Sequence, residues 1–195
     1  KTLDKLDSDE IRTLMPSIIE TVEAIHAIPP LGEGFGSWDL KGQGRSKSWH
    51  EDLLEHHFQP ADETVRSADF FDVDLDTRLR DDIRPRLDRM PEERRMTHAD
   101  FGFNNATADN GKISGVFDWE HAEYGDPIRD IAWLDFWGEK HGFADAFRNH
   151  YEQQGSLPAD FDERLLCYKL LIGTGSLCFF ARSRQKQPYL DTIGI

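Results

Sequence analysis

The chain of 195 residues is expected to fold as a single α+β domain, mostly helical, with one small β-hairpin inserted. Three observations predict this. Apolar residues recur at three- and four-residue steps around 8–28, 74–90 and 160–184, the period of a helix with a buried face. Asn110-Gly111 stands between two short runs of strand-forming residues, the strongest local hairpin signal. No repeat, low-complexity tract or internal linker divides the chain, which is long enough to bury a core.

The first helix spans 8–28, with Ile11, Leu14, Met15, Ile18, Ile19, Val22 and Ile25 on its inner face. Asp7 and Glu10 have the general form of a capping box, Pro16 should kink the helix or mark a late start, and Pro29-Pro30 stops it. Residues 31–47, with Gly32, Gly34, Gly36, Gly42 and Gly44, read as a loop. It is not a nucleotide loop, because no Gly-Lys-Ser/Thr follows and no Val/Ile strand precedes it. Trp49 to Phe58 reads as a short helix. Its His-Glu-Asp-Leu-Leu-Glu-His-His run is not a zincin motif, since Leu54 stands where the second His belongs, so a solvated face is expected.

The helix at 74–90 repeats Leu75, Leu79, Ile83 and Leu87 every four residues, with a kink or break expected near Arg84 because Pro85 follows. Residues 91–95 form a polar connection. Ala106–Ala108 and Lys112–Phe117 make the hairpin strands, Trp119–Tyr124 a linker, Pro127 to about Trp137 a helix and Phe143–Gln153 another. Asp160–Arg184 is too apolar all round for one narrow stripe and should be buried on several sides. Residues 187–195 look loose or truncated.

Net charge is −14, from 37 acidic and 23 basic side chains. Such a surface repels phosphate backbones, which argues against nucleic acid as a partner. It suits a cationic small molecule, or simply solubility. No uninterrupted apolar run of 18 residues and no basic-then-apolar leader occurs, so no membrane segment is expected. Cys167 and Cys178 fall in one predicted helix, ~16 Å apart and beyond disulfide reach. Packed thiols in a reducing cytoplasm are the expectation.

The chemistry concentrates between about residues 96 and 130. His98-Ala-Asp100 is followed by Asn105 and, beyond the hairpin, by Asp118. Phosphoryl transfer to a hydroxyl needs a proton acceptor, oxygen ligands for Mg²⁺ and rigid placement of both. Asp100 can accept the proton, and the Asn105 amide oxygen and Asp118 carboxylate are hard ligands of the kind Mg²⁺ prefers. The same Asp-x-x-x-x-Asn step, strand and metal-binding Asp occur in the kinase catalytic loop. The competing reading makes all three ordinary turn and strand-end residues. Asp126-Pro127 is a good helix start, so Asp126 is either a cap or a functional carboxylate.

His98-Ala-Asp100, Asn105, Phe117-Asp-Trp-Glu120 and Tyr124-Gly-Asp-Pro127 with Asp130 resemble the core of the aminoglycoside phosphotransferases and their choline-kinase-like relatives. The hygromycin-type branch is the nearest in these motifs. The linked motifs cover 98–137, with weaker similarity back to about residue 8. The resemblance implies a protein-kinase-like fold, of which this chain, residues 1–195, would be the large C-terminal lobe. It implies Asp100 as base or orienting carboxylate, Asn105 and Asp118 as Mg²⁺ ligands, and ATP or GTP as phosphoryl donor. His98 would hold the loop backbone, and Asp130 would be a buried carboxylate bracing it. Asn104, Glu120 and Trp137 match positions near the substrate; Glu120 is alternatively an exposed acid, and Trp137 a core residue. The glycine-rich 31–47 segment would lie beside the substrate cleft, or be a flexible surface loop. Asp100, Glu120, Glu123, Asp126 and Asp135 would offer several carboxylates to an aminoglycoside's ammonium groups.

No strand of the Val-Ala-Ile-Lys kind precedes residue 98, and the first residue is Lys1 rather than Met. The resemblance therefore implies that an N-terminal lobe lies outside this chain. Without its phosphate-covering loop and Lys, the chain alone would be inactive. Three functions stay open: an aminoglycoside O-phosphotransferase, a kinase of another hydroxylated metabolite such as choline or homoserine, and a non-catalytic half-domain that only binds a ligand or partner.

Overall fold

The computed structural model describes all residues from Lys1 to Ile195. Helices dominate, as expected, but the β content is larger than one hairpin. Helix α1 runs Ser8–His26, opened by a complete capping box: Asp7 accepts from the Asp9 and Glu10 amides, both at 2.9 Å, and Glu10 accepts from the Asp7 amide at 3.0 Å. It passes through Pro16 without ending there. Pro16 lies on the exposed face, where water can satisfy the freed carbonyl, while Ile11, Leu14, Ile18, Ile19, Val22 and Ile25 are buried opposite. Helix α4, Val73–Leu87, likewise continues through the exposed Pro85, so the expected break near Arg84 does not occur.

The 31–47 stretch is not a plain loop. It contains β1, Phe35–Trp38, and β2, Gly44–Ser46, paired antiparallel. Two further short strands, β3 at Arg95–Thr97 and β6 at Glu123–Gly125, complete a four-stranded antiparallel sheet in the order β2-β1-β6-β3. The segment expected as a linker thus supplies a central strand. The predicted hairpin forms a separate two-stranded sheet from β4, Ala106–Asp109, and β5, Lys112–Val116. Asn110 and Gly111 turn it with φ of 49° and 72°, the doubly positive pair that a two-residue hairpin turn demands.

Between β2 and α4, helix α2 (Trp49–Asp52) runs on into a single π-helical turn, Leu53–His57, and α3 is a short helix at Glu63–Arg66. Trp49 is fully buried, with its ring against Gly125 of β6. A Cβ on Gly125 would come within 2.5 Å of its ring, so only glycine lets β6 approach this closely. The C-terminal part is helical: α5 (Ile128–Gly138), α6 (Phe143–Gln154), α7 (Phe161–Arg182) and α8 (Lys186–Ile193). The last replaces the loose end expected there, anchored by buried Tyr189 against Val65, Leu177 and Ala181.

One contiguous core joins α1, α5, α6 and α7 with Trp49, Phe101 and Ala106. Helix α7 has the length and hydropathy of a membrane span by composition, unlike the expectation from uninterrupted runs. Here it packs against α4, α5 and α8, with Cys167, Tyr168 and Leu171 buried. Cys167 and Cys178 are free thiols, as expected, and burial pushes the Cys167 thiol up to about 12.

Candidate active site

Strand β3 delivers Thr97 into the loop that carries His98, Ala99 and Asp100. That loop is clamped by Asp130 from the first turn of α5. The fully buried Asp130 carboxylate accepts from the His98 amide at 3.0 Å and the Ala99 amide at 2.7 Å. Burial alone would push the Asp130 carboxyl up. Hydrogen bonds from the His26 ring and these two amides outweigh burial and hold it below the usual range. Asp130 thus takes both backbone amides that precede Asp100. His98 is also fully buried, and its Nε2 donates to the Phe117 carbonyl at 3.1 Å. It ties the loop to the strand leading into Asp118 and is not exposed to a substrate.

Asp100 is half-buried. The Asn105 amide Nδ2 donates to its Oδ2 at 2.8 Å and to its backbone carbonyl at 3.0 Å. Desolvation raises the Asp100 carboxyl above its ordinary value; Asn105 and the nearby His121 and His98 oppose this, and the Asp118 charge adds to it. Asp118 is therefore close enough to be felt electrostatically. The hairpin brings it there, with the Phe117 amide donating to the Asn105 carbonyl at 3.0 Å.

Two backbone positions in this loop are unusual. Ala99 has φ 62° and Asp118 has φ 65°, left-handed values that cost a side chain roughly 1–2 kcal/mol. Such conformations persist only where the surroundings over-determine them, and they cluster at functional sites. Asp118 is exposed and its side chain caps nothing, so both carboxylate oxygens are available. Asn105 uses its Nδ2 on Asp100 and leaves its carbonyl oxygen open. One amide oxygen and one carboxylate form a hard-oxygen donor set of the kind that fits Mg²⁺.

Beside Asp100 lies a cavity of about 400 Å³ whose walls include Ser37, Arg45, Glu120, His121, Arg129 and Trp133. The glycine-rich segment therefore does border the cleft, through β1 and β2. Glu120 lines it and is exposed. Asn104 is exposed on the turn before Asn105 and does not line this cavity. Trp137 is not a core residue: 36% of it is exposed, and it lines an adjoining groove with Trp133, Phe179 and Phe180.

The cleft is less acidic than the sequence suggests. Asp126 is fully buried and held by Arg164 at 2.5 and 2.9 Å, Tyr168 at 3.0 Å and the Ile128 amide at 2.9 Å. It caps α5 and anchors a buried cation at once. Asp135 is buried against Lys169 at 2.8 Å, and Glu123 is buried against Arg129 at 2.8 Å. Of the five carboxylates expected to meet ammonium groups, Asp100 and Glu120 remain open.

A network that sequence reasoning missed forms the cavity floor. Asp52, 0% exposed in its side chain, accepts from Arg45 at 2.7 and 2.9 Å and from Ser46 at 2.8 Å. His57 Nε2 lies 3.2 Å from both Asp52 and Glu123. Burial would lower the His57 ring, but the Glu123 carboxylate beside it prevails and holds it above its ordinary value. The three ligand atoms of Asp52, His57 and Glu123 are close enough for a metal, yet Arg45 and Arg129 already neutralise both carboxylates. This is an ion-pair network. Gly36 makes room for it, since a Cβ there would fall 2.1 Å from Asp52 Oδ1. The available signal was the five-residue step from Asp52 to His57, which a π-helical turn brings onto one face. The neighbouring Glu51 accepts from the Lys47 amide at 2.8 Å, and His50 Nδ1 lies 3.3 Å from the Leu87 carbonyl.

Residues 1–165 match the phosphotransferase enzyme family. The chain belongs to that family. Among its relatives is hygromycin-B 4-O-kinase of Escherichia coli, 28% identical over 183 residues. That alignment takes in 90% of this chain and 52% of the relative, so the chain spans about half the length of the curated relative it matches. A crystal structure of a thermostable mutant of aminoglycoside phosphotransferase APH(4)-Ia, in ternary complex with ADP and hygromycin B, superposes with a TM-score of 0.80 at 26% identity. It covers 99% of this chain and 65% of that one. Choline kinase LicA from Streptococcus pneumoniae, at 17% identity and a TM-score of 0.62, covers 100% of this chain and 66% of its own and shares the fold. The phosphotransferase fold inferred from the motifs, mostly helical with small sheets, is thereby established.

Proposed function

We propose that this chain carries the hydroxyl-activating and metal-binding part of an O-phosphotransferase that moves the γ-phosphoryl group of ATP or GTP to a hydroxyl of a hygromycin-type aminoglycoside. The observation that carries the reading is the joined pair Asp100–Asn105 on a clamped, left-handed loop, with Asp118 delivered beside it by the hairpin. Asp100, at the edge of the cavity, orients the acceptor hydroxyl and takes its proton. Its raised carboxyl and its hydrogen bond to Asn105 set both its basicity and its direction. In loose phosphoryl-transfer transition states that placement counts for more than basicity. Asn105 and Asp118 would hold Mg²⁺, which when bound neutralises charge on the nucleotide phosphates. Glu120 and the Trp133–Trp137 wall would receive the aminoglycoside, the indoles lying against sugar faces.

The fraction of its relatives' length that the chain covers fits a large kinase-like lobe, with the phosphate-covering groups on a further lobe of the same enzyme. Asp118→Ala in that enzyme should weaken Mg²⁺-nucleotide binding by at least ~10-fold while hygromycin B affinity stays within about twofold, because only one of the two ligands meets the metal. Calorimetric titration of each ligand separates the two. Unchanged nucleotide affinity beside lost hygromycin B affinity would reverse the assignment, and preferential binding of choline would favour a metabolite kinase.

A further inference from the structure

Asp130 does not hold the catalytic loop unaided. His26, at the last turn of α1 and only 9% exposed, places its Nε2 2.9 Å from Asp130 Oδ2. That oxygen also accepts from the His98 amide, while Oδ1 takes the Ala99 amide. Ala99 is the residue at φ 62°, immediately before Asp100, and it is buried. The order of contacts is therefore His26, Asp130, Ala99, Asp100, linking two helices 104 residues apart in sequence to the proton acceptor.

Each link has a physical reason. A buried carboxylate with only two amide donors keeps a large desolvation cost. A third donor, from α1 rather than from the loop, offsets that cost and keeps the carboxylate ionised and seated against both amides. An alanine in the left-handed region relaxes to ordinary backbone unless its amide is held. Relaxation there would swing Asp100 away from Asn105.

We propose that His26 is a positioning residue for phosphoryl transfer: through Asp130 it keeps Ala99 left-handed and so aims the Asp100 carboxylate. The role in transfer rests on the reading under Proposed function, whereas the effect on the loop does not. His26 touches neither substrate, so its loss changes turnover and leaves binding alone.

The test uses the complete enzyme with His26→Ala, His26→Gln, Ala99→Gly and the His26→Ala/Ala99→Gly double variant. A charge-assisted hydrogen bond lost from a buried acceptor predicts a fall of roughly tenfold or more in kcat for His26→Ala, with KM for both substrates within about twofold. His26→Gln, whose amide can reach the same oxygen, should recover most of it. Glycine adopts positive φ without penalty, so His26→Ala should cost distinctly less in the A99G background. Amide hydrogen exchange gives a reading independent of turnover: protection at His98 and Ala99 should fall about tenfold in His26→Ala while that of α5 and α6 persists. Unchanged exchange at those two amides overturns the proposal, as does equal cost in both backgrounds or no recovery by Gln. If the wild-type enzyme transfers no phosphoryl group, the functional reading fails while the exchange measurement still decides whether His26 holds the loop.

Discussion

Asp100→Asn lowers kcat for phosphoryl transfer by at least ~10²-fold, the lower range for loss of a general base, and leaves the protein folded. The substitution keeps the shape of the side chain, and its carbonyl oxygen can still accept from Asn105 Nδ2. It removes the carboxylate that joins the cavity to Asn105. The fold should not suffer. Burial raises the Asp100 carboxyl in the folded state, so the folded protein binds that proton more tightly than the unfolded chain does. Its ionised form is thus held at a cost that grows as pH rises from the unfolded value through the folded one, and Asn removes that cost. Steady-state kinetics on the complete enzyme, with thermal unfolding as the control, measures both. Turnover near the wild-type value would remove Asp100 from the mechanism.

Asp126→Ala produces the largest loss of stability. Arg164, 2% exposed, would keep its charge in the interior with its bidentate partner gone; the partly exposed Glu93 at 3.1 Å and the Ala159 carbonyl are what remains. Tyr168 would lose the acceptor that orders its contact with Trp49, whose indole donates to the Tyr168 hydroxyl at 2.7 Å. Removing one partner of a buried ion pair costs about 3–5 kcal/mol, a drop of roughly 10 °C in Tm for a chain of this length. Asp126→Ala combined with Arg164→Met should recover part of the loss, because no unpaired charge is left behind. Thermal unfolding of the single and double variants checks this. Equal Tm values for the two would place the cost elsewhere, in the α5 cap.

How much of this was legible in the sequence depends on how local each signal is. The hairpin was plain because Asn110 and Gly111 suit doubly positive φ, and α1 because its cap and apolar stripe lie within one stretch. Asp100, Asn105 and Asp118 could be paired by spacing, since one loop and one hairpin join them. Strand β6 could not be seen. Its three residues are all buried, so it shows no alternation, and Glu123 at its start is tolerated only because Arg129 and His57 meet it from other elements. Distance in sequence hid His26, 104 residues from Asp130. The Arg45–Asp52 pair, seven residues apart, was hidden because its members lie in what reads as a loop and a solvated helix face. Asp126 and Asp135 looked like open carboxylates because the cations that neutralise them, Arg164 and Lys169, are more than 30 residues away.

One measurement decides whether this loop transfers phosphate to an aminoglycoside. The measurement is label transfer from γ-³²P-ATP, with GTP in parallel, to hygromycin B by the complete enzyme, set beside choline and homoserine as acceptors and beside Asp100→Asn. Label is expected on a hygromycin B hydroxyl, with little on the other acceptors, and should nearly disappear in the Asn variant. Label on choline or homoserine in preference, or equal labelling by the variant, would contradict the proposed function.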